Sequence, residues 1–220
     1  MKIITALLVL ICIGFNIFYF EEIRMLSLEI NFSWTISYLM PFVLVIFLSV
    51  ILAIALLRDP QDKNAVRKMF FTFLIIGIPF AIAFYLSPIY EGDLSKEGKK
   101  VTSTTKINEF KNYDFIVLTI PGCPFCLESV SKVNLIHKRN PKLKIKYIVC
   151  SSNILAKNEL RGLLNSGIKI DLGYNLSELV ELSDGKFPCF VKIDHSKAIY
   201  KWHNNQFGTR AKDWIESNEF

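Results

Sequence analysis

Three stretches without a single charged residue, 3–20, 36–57 and 69–90, constrain this chain more than any other feature. A hydrocarbon core of ~30 Å is crossed by ~20 residues of helix, and core helices of soluble domains seldom run that long uncharged. The pattern predicts three transmembrane helices. Pro41 and Pro79 fall inside the second and third stretches, where membrane helices accommodate proline. Lysine and arginine in short loops mark the cytoplasmic side. Arg58, Lys63, Arg67 and Lys68 crowd the second link, whereas the first carries Glu21, Glu22 and Glu29 against Arg24 alone, and Lys2 lies at the N-terminal end. The N-terminus and basic loop are therefore expected inside, with the acidic loop and everything after Tyr90 outside. No small-x-small cleavage site follows the first stretch, and removal of that stretch would still leave the third helix exporting the C-terminal half. The expected location is a bacterial cytoplasmic (inner) membrane, multi-pass, with the C-terminal domain in the periplasm or at the cell exterior.

The 220 residues are 51% AVILMFWYC, with mean hydropathy +0.33. Such a composition excludes both a disordered polypeptide and a wholly water-soluble one. A net charge of +6 and a pI near 9.0 raise the question of nucleic acid. The excess lies in the inside loop and in lysine-rich surface at residues 96–111 and 132–146, and no basic motif interleaved with aromatics occurs. No nucleic-acid partner is expected, and the lipid bilayer is.

Beyond the membrane domain of residues 1–90, residues 91–107 are rich in Ser, Thr, Gly and Lys and read as a linker. Residues 108–220 then read as one α/β domain. Residues 114–120 (DFIVLTI) form an apolar, β-branched run expected of a strand buried on both faces. Pro121-Gly122 stops it, and Cys123-Pro124-Phe125-Cys126 opens a helix with Leu127, Val130, Val133 and Ile136 at helical spacing. Pro124 suits the first helical turn. Residues 142–150 alternate into a second strand, and 153–166 form a leucine-rich helix stopped by Gly167. Asn175 with Glu178 resembles a capping box before a short helix ending at Asp184-Gly185. Residues 187–193 and 198–202 form a hairpin, and a final amphipathic helix starts at Thr209.

Cys-x-x-Cys alone fits half a zinc site, a redox pair or chance. A structural zinc site takes four ligands, usually in two close pairs. Here Cys150 and Cys189 are far apart in sequence, and His137, His195 and His203 are scattered. No metal is therefore expected. The redox reading has a local cause. A cysteine at a helix N-terminus has its thiolate stabilised by free N–H groups and the helix dipole, lowering its pKa from ~8.5. Cys123 occupies that place, and Cys126, inside the first turn, can reach back to resolve a mixed disulfide. A permanent structural disulfide is the lesser alternative, because so small a loop constrains the unfolded chain little. Cys12 has no partner in the membrane half, so the spans hold no dithiol relay of their own.

Strand, Pro-Gly-Cys-Pro-Phe-Cys, helix, strand, helix and then Phe187-Pro188 entering a hairpin resembles the thioredoxin superfamily over residues 108–216. The resemblance implies a mixed sheet flanked by helices, preceded here by the three membrane helices. It also implies that Cys123 attacks, Cys126 resolves, and Pro188 is a cis-proline facing them. The backbone of Phe187 would then pair with an extended substrate segment, a small case of β-augmentation, while Pro124 and Phe125 form the spacer. The family's strand order would put Cys150 and Cys189 on strands flanking a central one, beyond the ~7 Å Cα limit of a disulfide, as buried free thiols. Where many thioredoxins carry a buried acid, this chain has Val117. The spacer Pro-Phe also differs from the family's Gly-Pro and Pro-His forms, leaving the direction of electron flow open. The function implied is a membrane-tethered thiol:disulfide oxidoreductase, with the Cys123–Cys126 disulfide as its redox group and no other cofactor. Its partners would be exported protein thiols or disulfides and an integral-membrane redox protein. The alternatives are a thioredoxin-like binding or assembly module with little turnover and, more remotely, copper delivery by paired thiolates.

Overall fold

The computed structural model describes residues 2–57, 64–101, 110–195 and 197–217, and the chain divides into two compact units, Met1–Tyr90 and Glu91–Phe220. Arg58, Lys63 and residues 102–107 of the expected linker lie outside the described residues.

The first unit consists of α1 (Lys2–Phe18), α2 (Phe20–Glu29), α3 (Trp34–Leu57) and α4 (Ala65–Leu86). Both α3 and α4 are long and apolar enough to cross a membrane, and each carries its proline, Pro41 or Pro79, within the helix. The first stretch departs from expectation. It is not one helix over 3–20: the chain breaks at Tyr19 (φ −103°, ψ 38°), and α2 leaves α1 at 80°. The third stretch also shifts, because Asn64 caps α4 by accepting from the Arg67 amide at 3.1 Å and the helix ends at Leu86. Phe20, Phe42, Val45 and Ala83 pack together with Ile17 and Ile89, and Ala6, Ile13 and Leu52 pack with Leu48 and Ile75. Away from these seams Leu8, Ile11, Phe47, Phe73 and Tyr85 lie exposed. A helical surface this apolar fits hydrocarbon and not water.

The second unit is a six-stranded mixed sheet in the order β1-β6-β5-β2-β3-β4. The strands are β1 (Lys99–Lys100), β2 (Phe115–Thr119), β3 (Ile145–Val149), β4 (Lys169–Leu172), β5 (Cys189–Asp194) and β6 (Lys197–His203). The helices are α5 (Pro124–Arg139), α6 (Ile154–Leu163), α7 (Leu176–Leu182) and α8 (Thr209–Ser217). Parallel pairing joins β2 to β3 and β3 to β4, while β5 runs antiparallel to β2 and β6 to β5. Every residue of β2, β3 and the first five of β5 is buried.

Ile116, Leu118, Ile148, Val191 and Ile193 form a core on one sheet face with Phe110 and Leu179 of α7. On the other face Phe115, Phe190 and Phe207 stack, with centroids 4.1–6.2 Å apart. Tyr147 meets Ser129 of α5 on that side. There Arg139 of α5 pairs with Glu216 of α8 at 2.7 Å, and Asn134 of α5 donates to the Leu163 carbonyl at 2.8 Å.

Residues 91–101 are not linker. Thr209 N donates to Asp93 O at 2.7 Å, Val101 N to Ile199 O at 3.0 Å, and the Trp202 indole to Lys96 O at 3.1 Å. Gly208 permits this approach, since a Cβ there would meet Gly92 O and the Ser95 backbone. Nor does Gly167 cap α6, which ends at Leu163; its missing Cβ makes room for the His137 ring. Asn175 forms no capping bond to a backbone amide, and its Oδ1 accepts from the Ser177 hydroxyl.

Candidate functional site: a dithiol at the sheet edge

The three parallel strands end at one edge of the sheet, and pairing of Leu118 with Cys189 brings the start of β5 to the same edge. Burial of β2 fixes where its chain emerges, and Pro121-Gly122, with Gly122 at φ 70°, turns it into α5. A positive φ of this kind favours glycine. Cys123 is the N-cap of α5 with Pro124 next in the first turn. The Cys126 amide, which also donates to Cys123 O at 3.1 Å, lies 3.2 Å from Cys123 Sγ, so a first-turn helix N–H faces the sulfur where it would stabilise a thiolate.

Cys123 and Cys126 are joined as a disulfide, with Cα atoms 5.2 Å apart. The two sulfurs differ in access. Cys126 is 1% exposed, whereas Cys123 is half-buried and reachable. Phe125, 54% exposed, stands beside it. Across the edge the Phe187–Pro188 peptide is cis, and the Phe187 carbonyl oxygen lies 3.9 Å from Cys123 Sγ. All six residues singled out from sequence, Cys123, Pro124, Phe125, Cys126, Phe187 and Pro188, thus meet at this edge.

Beneath the pair, Ser129 Oγ donates to Cys126 O at 2.7 Å and meets the Tyr147 hydroxyl at 3.2 Å. Desolvation raises the Tyr147 pKa well above that of free tyrosine, with the Ser129 bond opposing it. Val117 is fully buried in β2. Cys189 is also fully buried, and desolvation pushes its thiol up to about 12. Cys150 is only half-buried, not wholly buried as expected; like Cys189 it forms no disulfide, and it directly follows β3 while Cys189 opens β5, the two strands that flank β2. No cluster of three or more His, Cys, Asp or Glu side chains suited to a metal occurs among the described residues.

A polar cluster beside the site went unseen in the sequence. The Lys201 ammonium donates to Leu182 O at 2.6 Å and stands 2.8 Å from Asp184 Oδ1. Asp184 Oδ2 faces Lys99 at 3.1 Å and His203 at 3.7 Å. These contacts hold the turn leading from α7 into Phe187-Pro188. The Lys201 hydrogen bond, then Lys99, keep the Asp184 carboxyl down at about 2 against the opposing effect of burial. The one available signal was alternation in β6, which puts Lys201 and His203 on one face.

A mixed sheet flanked by helices, a CxxC at the N-terminus of the helix after the central strand, and a cis-proline opposite it define a thioredoxin-like fold. The chain joins that domain to N-terminal helices that supply two candidate membrane spans, or three if the bent α1–α2 pair is one. Among solved structures, it is similar to a secreted Mycobacterium tuberculosis disulfide oxidoreductase described as homologous to E. coli DsbE. That match has 17% identity over 47% of this chain and 76% of the other, with a TM-score of 0.35. It is also similar to a thioredoxin-like protein from Bacteroides caccae, at 16% identity over 90% of this chain and 74% of the other, with a TM-score of 0.36. No protein-family profile matches the sequence, and no curated protein matches it significantly.

Proposed function

We propose that the protein is a membrane-tethered thiol:disulfide oxidoreductase that exchanges disulfides with proteins outside the cytoplasmic membrane through Cys123 and Cys126. One observation carries this reading: a reachable Cys123 sulfur receives the Cys126 amide at 3.2 Å and faces the Phe187 carbonyl at 3.9 Å, while its disulfide partner is buried. In the reducing direction the Cys123 thiolate attacks a client disulfide, forming a mixed disulfide and releasing one client thiolate. The Cys126 thiolate then attacks Cys123 Sγ, forming the Cys123–Cys126 disulfide and releasing the second client thiolate. In the oxidising direction the same steps run backwards, and the pair's reduction potential against its surroundings selects between them. The Phe187 backbone offers an extended client segment a partner alongside the reacting sulfur.

The charge at the helix ends supports an outward-facing domain, with Arg67 and Lys68 in the first turn of α4 opposite Glu21, Glu22 and Glu29. An oxidising compartment outside the membrane suits disulfide exchange, and an integral-membrane redox partner would renew the pair, since Cys12 is the lone cysteine of the first unit. The test is exchange by the full-length chain in detergent with a disulfide-bonded protein. The wild type should turn over and Cys123→Ser should not. Equal activity of the two would exclude the dithiol mechanism, whereas tight client binding without turnover would favour a binding module. In intact cells a membrane-impermeant thiol reagent should reach a cysteine introduced at Ser95 and not one at Asp62.

A further inference from the structure

The bend between α1 and α2 gives α2 a place of its own. At 1.5 Å per residue the 17 residues of α1 rise about 25 Å, short of the ~30 Å hydrocarbon core. A helix lying crosswise at its end, with a radius of about 5 Å, makes up the difference. The 80° turn at Tyr19 sets α2 nearly perpendicular to α1, so if α1 crosses the bilayer, α2 lies along its surface.

Three faces of α2 match that placement. Phe20, Ser27 and Leu28 are buried against the bundle, and Arg24 reaches the same side, its guanidinium 4.0 Å from the Tyr38 ring centroid and its Nε 3.2 Å from Tyr38 O. At 100° per residue, Ile23 and Leu26 form a second stripe that the C-cap residue Ile30 extends, with Leu26 58% and Ile30 60% exposed. About a third of a turn away, Glu21, Glu22 and Glu29 form the third, with Met25 among them. Exposed apolar and acidic stripes on one short helix have opposite solvent needs, and a water–lipid boundary meets both. Tyr19, Trp34 and Tyr38 lie at the same end of the bundle, the residue types that collect at bilayer interfaces. Packing of Phe20 with Phe42 of α3 and Ala83 of α4 places this end with the C-terminal end of α4.

We propose that α2 is an interfacial helix whose Ile23–Leu26–Ile30 stripe is covered by the acyl-chain boundary of the leaflet at the C-terminal end of α4, with its glutamates in the headgroup water. The inference rests on the membrane placement above and is independent of the redox chemistry. It is tested on the full-length chain with Cys12, Cys150 and Cys189 changed to Ser and the Cys123–Cys126 disulfide kept, in phosphatidylcholine–phosphatidylglycerol vesicles. Nitroxides at L26C, I30C, E22C, E29C and, as a lipid-facing reference, I78C are read by power saturation with oxygen and with a water-soluble nickel chelate. Oxygen should dominate at 26, 30 and 78, and nickel at 22 and 29. Nickel dominance at 26 and 30 with oxygen at 78 would overturn the proposal and leave the membrane placement standing. Oxygen dominance at all five would make α2 a continuation of the span. Nickel dominance at 78 as well would overturn the membrane placement and this proposal with it.

Discussion

Replacing Lys201 with methionine removes the ammonium that ties the turn after α7 to β6 while keeping most of its apolar stem. The side chain is nearly inaccessible, Lys201 being 5% exposed, and it holds Leu182 O at 2.6 Å and Asp184 Oδ1 at 2.8 Å. A hydrogen bond to a charged group contributes about 1.5–3 kcal/mol, and breaking a fully buried ion pair from one side costs about 3–5 kcal/mol. Asp184 retains Lys99 at 3.1 Å, and its side chain is 35% exposed, so water and a second cation compensate part of the loss. The expected cost is therefore about 2–3 kcal/mol. At about 1.4 kcal/mol per decade that is roughly 30- to 150-fold faster exchange of the protected amides in β5 and β6, measured by hydrogen–deuterium exchange on the full chain. Lys201→Arg should recover most of the protection by keeping a cation at the carboxylate. Because the same turn delivers Phe187 to Cys123, Lys201→Met should also slow exchange with a protein disulfide more than with a small dithiol. Unchanged amide exchange in Lys201→Met would refute the idea that this cluster holds the turn.

Acid should act on the same cluster. The folded Asp184 carboxyl lies at about 2, below its ordinary 3.8, so its contribution is complete above pH ~4 and is lost as pH falls through about 2. For a carboxylate this open to solvent that contribution is about 1 kcal/mol after screening, and Asp184→Asn should remove that part of the low-pH slope in urea midpoints. Ser129→Ala removes the hydroxyl that bonds Cys126 O and leaves the buried Tyr147 hydroxyl without its Ser129 partner, with an expected cost of about 1–2 kcal/mol; an unchanged melting temperature would contradict this. Cys189, inaccessible and with its thiol held up at about 12, should resist iodoacetamide at pH 8 until the chain is unfolded. Peptide mapping showing native labelling at the rate of Cys150 would count against its burial.

What could be read in the sequence had a local physical cause. The long apolar helices α3 and α4 follow from uninterrupted apolar runs, β2 from its β-branched interior, and the start of α5 from Pro121-Gly122, Cys123 and Pro124, each residue carrying its own conformational preference. The hairpin at Asp194–Lys197 was legible from its polar turn between two β-rich runs. The elements missed depend on distant partners. Lys99 and Lys100 carry no strand signal, and β1 exists because Tyr200 and Lys201 supply its ladder. In β4 the alternation of Ile168, Ile170 and Leu172 was present but spans too few residues to stand out from loop. The break at Tyr19 lies beside Glu21 and Glu22, which begin α2 favourably at its positive end, yet an unbroken apolar run preceding them reads as one helix. Lys201, Asp184, Lys99 and His203 come from three separate segments, and only the assembled sheet brings them together.

Mixed-disulfide trapping tests the central claim most directly. In cells expressing the full-length Cys126→Ser chain, Cys123 can still attack a client disulfide but no resolving thiol expels the product. The account predicts adducts that dissolve on reduction, are absent from the Cys123→Ser and double variants, and map by mass spectrometry to Cys123 linked to cysteines of exported proteins. Adducts linked instead through Cys150 or Cys189, or an equal yield from Cys123→Ser, would contradict it.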